Sequence, residues 1–226
     1  MAGTGWMSER NASFRLLLLG DAALQIRLSE STVPDMAANR RSLAVVERLR
    51  SACLPITDFV PAYASVTLHL AAGASMQALL PQLSLLLTDD EGDCGALGRL
   101  IEVPVRYGGA DGPDLVALAA SLSLSPDELV ARHVAPEYRV AMLGFRPGFP
   151  YLLGLDPGLA APRLRTPRLR VPAGSVGIAG LQTGIYPDSA PGGWQLIGRT
   201  TVRLFDPARD PPTLLAPGDR LRFRIE

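Results

Sequence analysis

The sequence predicts an α+β protein in two parts: a small ββαββα layer over residues 14–88, then a β-rich domain over 99–226 that carries two short helices and closes, or nearly closes, into a barrel. Three observations predict it. Short runs alternate apolar and polar residues with a period of two, as half-buried strands do. Four segments carry apolar stripes at helical spacing or a helix-start signal. Gly144–Thr200 holds eleven Gly and eight Pro in 57 residues, yet interleaves them with Phe145, Phe149, Tyr151, Ile178, Tyr186 and Trp194. A disordered segment lacks that apolar content. The stretch therefore reads as short strands joined by tight turns, with Gly where φ is positive and Pro where φ is fixed.

In chain order, residues 1–13 read as a loose tail. Phe14–Leu19 and Ala22–Leu28 are strands about a Gly20-Asp21 turn, with Leu24, Ile26 and Leu28 alternating with Gln25 and Arg27. Asp35–Arg50 is a helix with Met36, Leu43, Val46 and Leu49 on one stripe, and Pro55 closes that segment. Ile56–Pro61 and Ala64–Leu70 are strands; Val66, Leu68 and Leu70 point one way, Thr67 and His69 the other, so His69 is a polar-face residue rather than a ligand. Ser75–Leu87 is a second helix with Ser75 as its N-cap. This order puts both helices on one face of the sheet. Thr88–Gly98, acidic and Gly-rich, is the linker between the two parts.

The second part opens with Ile101, Val103, Val105 and Tyr107 alternating with Glu102, Pro104 and Arg106, where Pro104 marks an edge or a bulge. Pro113–Leu122 is a short helix. Ser125-Pro126-Asp127-Glu128 is a capping box with Pro at the first helical position, opening a helix that runs to His133. Glu137–Phe145 returns to strand. Thr201–Phe205 and Arg220–Ile225 are the closing strands, the latter after a Pro217-Gly218-Asp219 turn.

Composition removes several function classes. With 47% hydrophobic residues, the 226-residue chain can bury a real core. No apolar run approaches the roughly 18–20 residues of a membrane span. Leu16–Leu19 follows no basic segment, so it is not a signal peptide. A cytoplasmic protein is expected. Cys53 and Cys94 lack the spacing of a disulfide framework or a zinc site, and no metal is expected. All 22 basic residues are Arg, which excludes a phosphate-loop or Schiff-base lysine; 22 acids balance them, which argues against nucleic acid. No G-x-S-x-G, H-E-x-x-H or G-x-x-x-x-G-K pattern occurs.

The chemistry is expected within Gly144–Thr200, which holds six Arg against only Asp156 and Asp188. Arg146 sits before Pro147-Gly148, Arg170 precedes Val171-Pro172-Ala173-Gly174 and Arg199 follows Gly198, and an Arg on a rigid turn is pre-organised to take a carboxylate or phosphate in two-pronged fashion. Gln182, Thr183 and Tyr186 add neutral groups suited to an amide or lactam. Phe149, Tyr151 and Trp194 offer flat faces, with a core or rim role for Trp194 the competing reading. His133 is either a helix-end His favoured by the dipole or a proton donor and acceptor lining the barrel mouth, with Glu137 within pairing distance in sequence.

Three runs, GFRPGFPYL (144–152), PRLRVPAGSVGIAGLQTGIYP (167–187) and PGGWQLIGRT (191–200), resemble the KipI family, also called the 5-oxoprolinase B-subunit (PxpB) or allophanate hydrolase subunit 1 family. The resemblance extends to Val60-Pro61-Ala62-Tyr63 and to Val103–Gly109. The sequence departs from the family pattern at Ala190, where Ser is usual, and at Thr201, where Pro is usual. The resemblance implies a cyclophilin-like β-barrel. It also implies one member of a 5-oxoprolinase complex, working with the C-subunit and a LamB/YcsF-type A-subunit to open 5-oxo-L-proline to L-glutamate at the expense of ATP. No phosphate loop is evident here, so the ATP contacts would fall largely to those partners. Two alternatives stay open: inhibition of a histidine kinase, which some family members perform, and service in an allophanate or urea-amide hydrolase.

Overall fold

The computed structural model describes residues 14–31, 33–88 and 98–226. The predicted tail, residues 89–97 of the predicted linker and Cys94 lie outside them. The chain divides into two compact units, 1–96 and 97–226.

The first unit runs β1 (Arg15–Leu19), β2 (Ala23–Arg27), α1 (Met36–Ser51), β3 (Ile56–Pro61), β4 (Ser65–Leu70) and α2 (Met76–Thr88). The strands form one antiparallel sheet in the order β1-β2-β4-β3. Leu24 and Ile26 stand opposite Leu68 and Val66, and all four are fully buried. They meet Val45, Val46 and Leu49 of α1 and Leu79, Leu83 and Leu87 of α2 in one core, so both helices cover the same face. Each helix starts where the sequence signals it. The Asp35 carboxylate accepts from the Ala38 N–H at 2.7 Å, and the Ser75 hydroxyl accepts from the Ala78 N–H at 3.3 Å. His69 is exposed on the opposite face. Cys53 is a free, exposed thiol in the turn after α1.

The second unit contains β5 (Leu100–Tyr107), α3 (Leu115–Ser121), α4 (Pro126–Val134), β6 (Tyr138–Leu143), β7 (Pro150–Leu153), a single 3-10 turn at Pro157–Leu159, β8 (Arg168–Val171), β9 (Ser175–Ala179), β10 (Gln182–Ile185), β11 (Ala190–Gly192), β12 (Gln195–Arg199) and β13 (Arg220–Ile225). Seven of these strands close into a barrel in the order β10-β7-β6-β13-β5-β12-β9, and β8 with β11 forms a separate two-stranded ribbon. Val103, Val140, Leu152, Ile178, Ile197 and Phe223 fill the barrel with side chains from α3 and α4. The α4 cap is as the sequence predicts: the Ser125 hydroxyl accepts from the Glu128 N–H at 3.1 Å, with Pro126 at the first helical position.

Two local expectations are corrected. Pro104 lies in a strand with neighbours on both sides rather than in an edge strand or at a bulge, but on a flank that is locally unpaired. Val105 turns its carbonyl toward β13, so Pro104 turns its nitrogen toward β12. There β12 pairs only with Arg106 and Tyr107, and the missing N–H costs no ladder bond. Thr201–Phe205 is not a strand. The Thr200 hydroxyl accepts from the Val202 N–H at 3.2 Å, which turns the chain, and Arg209 ties the following loop by donating to the carbonyls of Leu204, Pro211 and Pro212. Only an isolated bridge, Phe205 to Thr213, remains.

Candidate functional site

The turn joining β6 to β7 is held by three backbone bonds: Gly144 N–H to Phe149 O, Arg146 N–H to Gly144 O and Phe149 N–H to Arg146 O, at 3.2, 2.7 and 3.0 Å. Its tightness forces Phe145 to φ +64°, an unusual conformation for a bulky residue. Phe145 is 58% exposed, yet its ring lies edge to face against Phe149 at 5.6 Å and Tyr186 at 6.3 Å. Leu143, Gly144, Phe145, Arg146, Pro147, Gly148 and Thr213 line an open depression of about 410 Å³.

Arg146 stands at the rim of this depression. Its Nε and Nη2 donate to both oxygens of Asp188, forming an exposed ion pair. Asp188 thereby raises Arg146 above its ordinary pKa through hydrogen bonding and charge. Only one edge of the guanidinium is used. The Nη1 donors make no hydrogen bond among the described residues. The depression thus gathers Arg146, Phe145, Pro147 and Thr213 around one open space.

The flat residues expected to line a pocket form a core instead. Phe149, Tyr186 and Trp194 are 1%, 1% and 5% exposed. The Phe149 ring sits 4.9 Å from Tyr151, 5.2 Å from Tyr186 and 5.4 Å from Trp194, mostly edge to face. Val171, Ala179 and Ala190 complete the cluster. The packing is close enough that a Cβ at Gly192 would lie 2.2 Å from the Tyr186 Oη. Burial pushes the Tyr186 phenol up, while a hydrogen bond from the Trp194 backbone and the charge of Arg163 pull it down. Tyr151 is half-buried at the border of this cluster, and Gln182 is half-buried at the start of β10.

The remaining candidates are dispersed. Arg170 donates to the Ser189 hydroxyl at 3.1 Å, next to Asp188 in sequence. Arg199 donates to the Ala173 carbonyl at 2.8 Å and lies 3.8 Å from Asp111. His133 does not line a mouth: it is fully buried in the barrel, with its ring 4.6 Å from Phe223. The Thr183 hydroxyl donates to Gly177 O at 3.0 Å, so it accepts from His133 Nε2–H at 3.0 Å. Nδ1 then accepts from the Tyr107 hydroxyl at 2.8 Å. Burial drives the His133 pKa down to about 3, so the ring is neutral and no dipole–cation interaction operates. Glu137 pairs with Arg220 and Arg222, not with His133. Among the described residues, no group of three or more His, Cys, Asp or Glu could hold a metal ion, and no helix is long and apolar enough to cross a membrane.

Residues 14–215 match the family of carboxyltransferase domains, subdomain C and D. A 5-oxoprolinase B-subunit of Bacillus subtilis is 41% identical over 222 residues, covering 93% of this chain and 92% of that one. The chain belongs to the 5-oxoprolinase B-subunit family. An Escherichia coli O157:H7 protein of the same name is 43% identical over 210 residues, covering 92% of this chain and 94% of the other. The solved structure of TTHA0988 superposes with a TM-score of 0.78 at 43% identity, over 90% of this chain. The chain spans 39% of the length of TTHA0988. In fold alone, at 20% identity, the likeness reaches Kluyveromyces lactis urea amidolyase, with a TM-score of 0.76 over 94% of this chain and 15% of that protein.

In this member of the 5-oxoprolinase B-subunit family, the run 144–152 contributes to both the depression and the aromatic core. Asp188 and Thr213 escaped the sequence reading. Asp188 had a signal, being one of two acids in Gly144–Thr200 and so the natural counter-ion of an Arg there. Thr213 had none, because the loop after β12 brings it to the depression from far along the chain.

Proposed function

We propose that this chain is the B-subunit of an ATP-dependent 5-oxoprolinase, which converts 5-oxo-L-proline, ATP and water to L-glutamate, ADP and phosphate together with the C-subunit and a LamB/YcsF-type A-subunit. The observation that carries the reading is the end-to-end match, over nine-tenths of both chains, to relatives named as 5-oxoprolinase B-subunits. The geometry beside Arg146 supports it. The substrate is a small planar lactam bearing a carboxylate. Its carboxylate would take the Nη1 side of Arg146, held in place by Asp188, while the ring lies against Phe145 and Pro147 and the Thr213 hydroxyl serves the lactam. An unstrained five-membered lactam does not open readily, and ATP cleavage supplies the driving force. Nucleotide contacts would lie largely on the partner proteins.

The test is ATP-dependent glutamate release from 5-oxoproline by the purified A- and C-subunits, with and without this chain. Release only in its presence is expected. Arg146→Ala should lower kcat/KM of the assembled complex by about tenfold or more, with an unchanged melting temperature. Full turnover by the variant would remove Arg146 from the substrate site. Full turnover without the chain would remove its place in the complex altogether.

A further inference from the structure

Arg106 of β5 and Arg199 of β12 stand directly opposite each other in an antiparallel pairing, so their side chains project to the same face. Like charges so placed repel and destabilise a sheet. One carboxylate serves both of them. Asp111 Oδ2 lies 3.2 Å from Arg106 Nε, and Asp111 Oδ1 lies 3.8 Å from Arg199 Nη1. Two guanidinium groups therefore converge on one acid, and a positive charge is left over. Arg99, Arg146 and Arg168, by contrast, are each matched to an acid of their own, Asp219, Asp188 and Asp114.

The backbone around this pair is closely fitted. The Gly108 N–H donates to Ile197 O at 3.0 Å and the Gly112 N–H to Gly108 O at 2.8 Å, which folds the loop bearing Asp111 onto β12. A Cβ at Gly112 would lie 2.1 Å from Ile197 O. On the other side, the Thr200 N–H donates to Gly174 O at 2.9 Å, and a Cβ at Gly174 would lie 2.0 Å from Thr200 O. Only glycine permits these two approaches. Arg199 Nε donates to the adjacent Ala173 carbonyl at 2.8 Å. The loops on both sides thus fix where Asp111 and Arg199 sit. The Nη groups of both arginines make no hydrogen bond among the described residues.

We propose that Arg106 and Arg199 form a binding site for a phosphate group, with Asp111 tempering their charge. Two guanidinium groups suit a phosphomonoester, which carries about −1.5 to −2 charges at pH 7 and offers three acceptor oxygens. A carboxylate is the poorer match, because a single guanidinium already meets both of its oxygens, as Arg146 does for Asp188. The site shares no residue with the depression beside Arg146, and the inference does not rest on the 5-oxoprolinase reading.

The test is calorimetric titration of the full chain with inorganic phosphate, and separately with ADP and with acetate, at one ionic strength set by chloride. Phosphate should bind saturably, and acetate at least about tenfold more weakly. Arg106→Gln and Arg199→Gln should each weaken phosphate binding by about tenfold or more. Asp111→Asn should tighten it by about threefold or more, because the opposing charge is gone. Tighter binding of ADP than of phosphate, lost in the same two arginine variants, would assign the group to a nucleotide; binding no tighter would assign it to free phosphate or another small phosphate, and either result supports the site. Phosphate binding that does not saturate, equal binding of acetate, or equal phosphate binding by both arginine variants overturns it and leaves the 5-oxoprolinase reading standing. If the arginine variants fail to fold, Asp111→Asn decides, and no tightening overturns the site.

Discussion

The tripeptide Arg-Leu-Arg occurs in two strands of the barrel unit and behaves oppositely in them. In β13, Leu221 is fully buried between Tyr138 and Ile101, and Arg220 and Arg222 lean on Glu137 and Glu102. In β8, Leu169 is almost wholly exposed and Arg170 meets only a hydroxyl. β13 has a neighbour on each side and a filled interior behind it; β8 is paired only with β11 and is distorted by a bulge. Alternation alone therefore does not decide burial. The neighbours across the ladder decide it, and they come from distant parts of the chain.

Substitutions at matched positions sharpen this contrast, and the largest effect is expected at Leu221. Leu221→Ala should cost about 2–5 kcal/mol in urea unfolding, as cavities in filled cores do. The same measurement on Leu169→Ala should move by no more than about 0.5 kcal/mol. A comparable loss at both sites would mean that β8 is covered by its own chain after all.

Next in size is a pH effect on the interior side of β13, where Phe223 packs against His133. Burial depresses the folded pKa of His133 from 6.5 to about 3, so the unfolded chain takes up the proton first as pH falls. This contribution to stability is full above pH 6.5 and is lost progressively below it; between pH 7 and 5 the loss is about 2 kcal/mol. His133→Gln should flatten the fall in stability over that window. An unchanged slope in the variant would show that His133 is not the titrating group.

The smallest effect is expected on the outer side of β13. Glu137→Gln removes the partner shared by Arg220 and Arg222, and should cost within about 1 kcal/mol, less at high salt. A larger loss would mean that charge compensation, rather than the packed interior, distinguishes the two strands.

Much of this fold is legible in the residues. The caps at Asp35, Ser75 and Ser125 and the alternation in β2, β4, β5 and β13 are local signals, and the structure follows them. Thr201–Phe205 misled because its alternation is genuine, while the Thr200 hydroxyl and the Arg209 bonds that divert the backbone are side-chain contacts. The site was less legible for a related reason. Glycine and proline mark where the backbone turns, but not which way an aromatic ring then faces. Phe149, Tyr186 and Trp194 are buried against one another, whereas Phe145, one residue inside the tight turn, caps the cluster edge to face and stays half-exposed. Arg146 could be singled out from its turn. Its counter-ion, 42 residues away, could be matched to it only through the scarcity of acids in that stretch.

Closure of the barrel waits for β13. β5, the first strand of the barrel unit, lies parallel to β13, the last, with Leu100 through Val105 in register with Arg220 through Ile225. Synthesis delivers β5 early and β13 last, and such distant pairings make folding slow. Until Arg220–Ile225 emerges, the flanks of β5 and β6 that β13 will occupy are open edges, able to recruit the wrong strand. A nascent chain that stops short of Arg220 has every other barrel strand and no closed barrel, with two unpaired flanks in place of one seam.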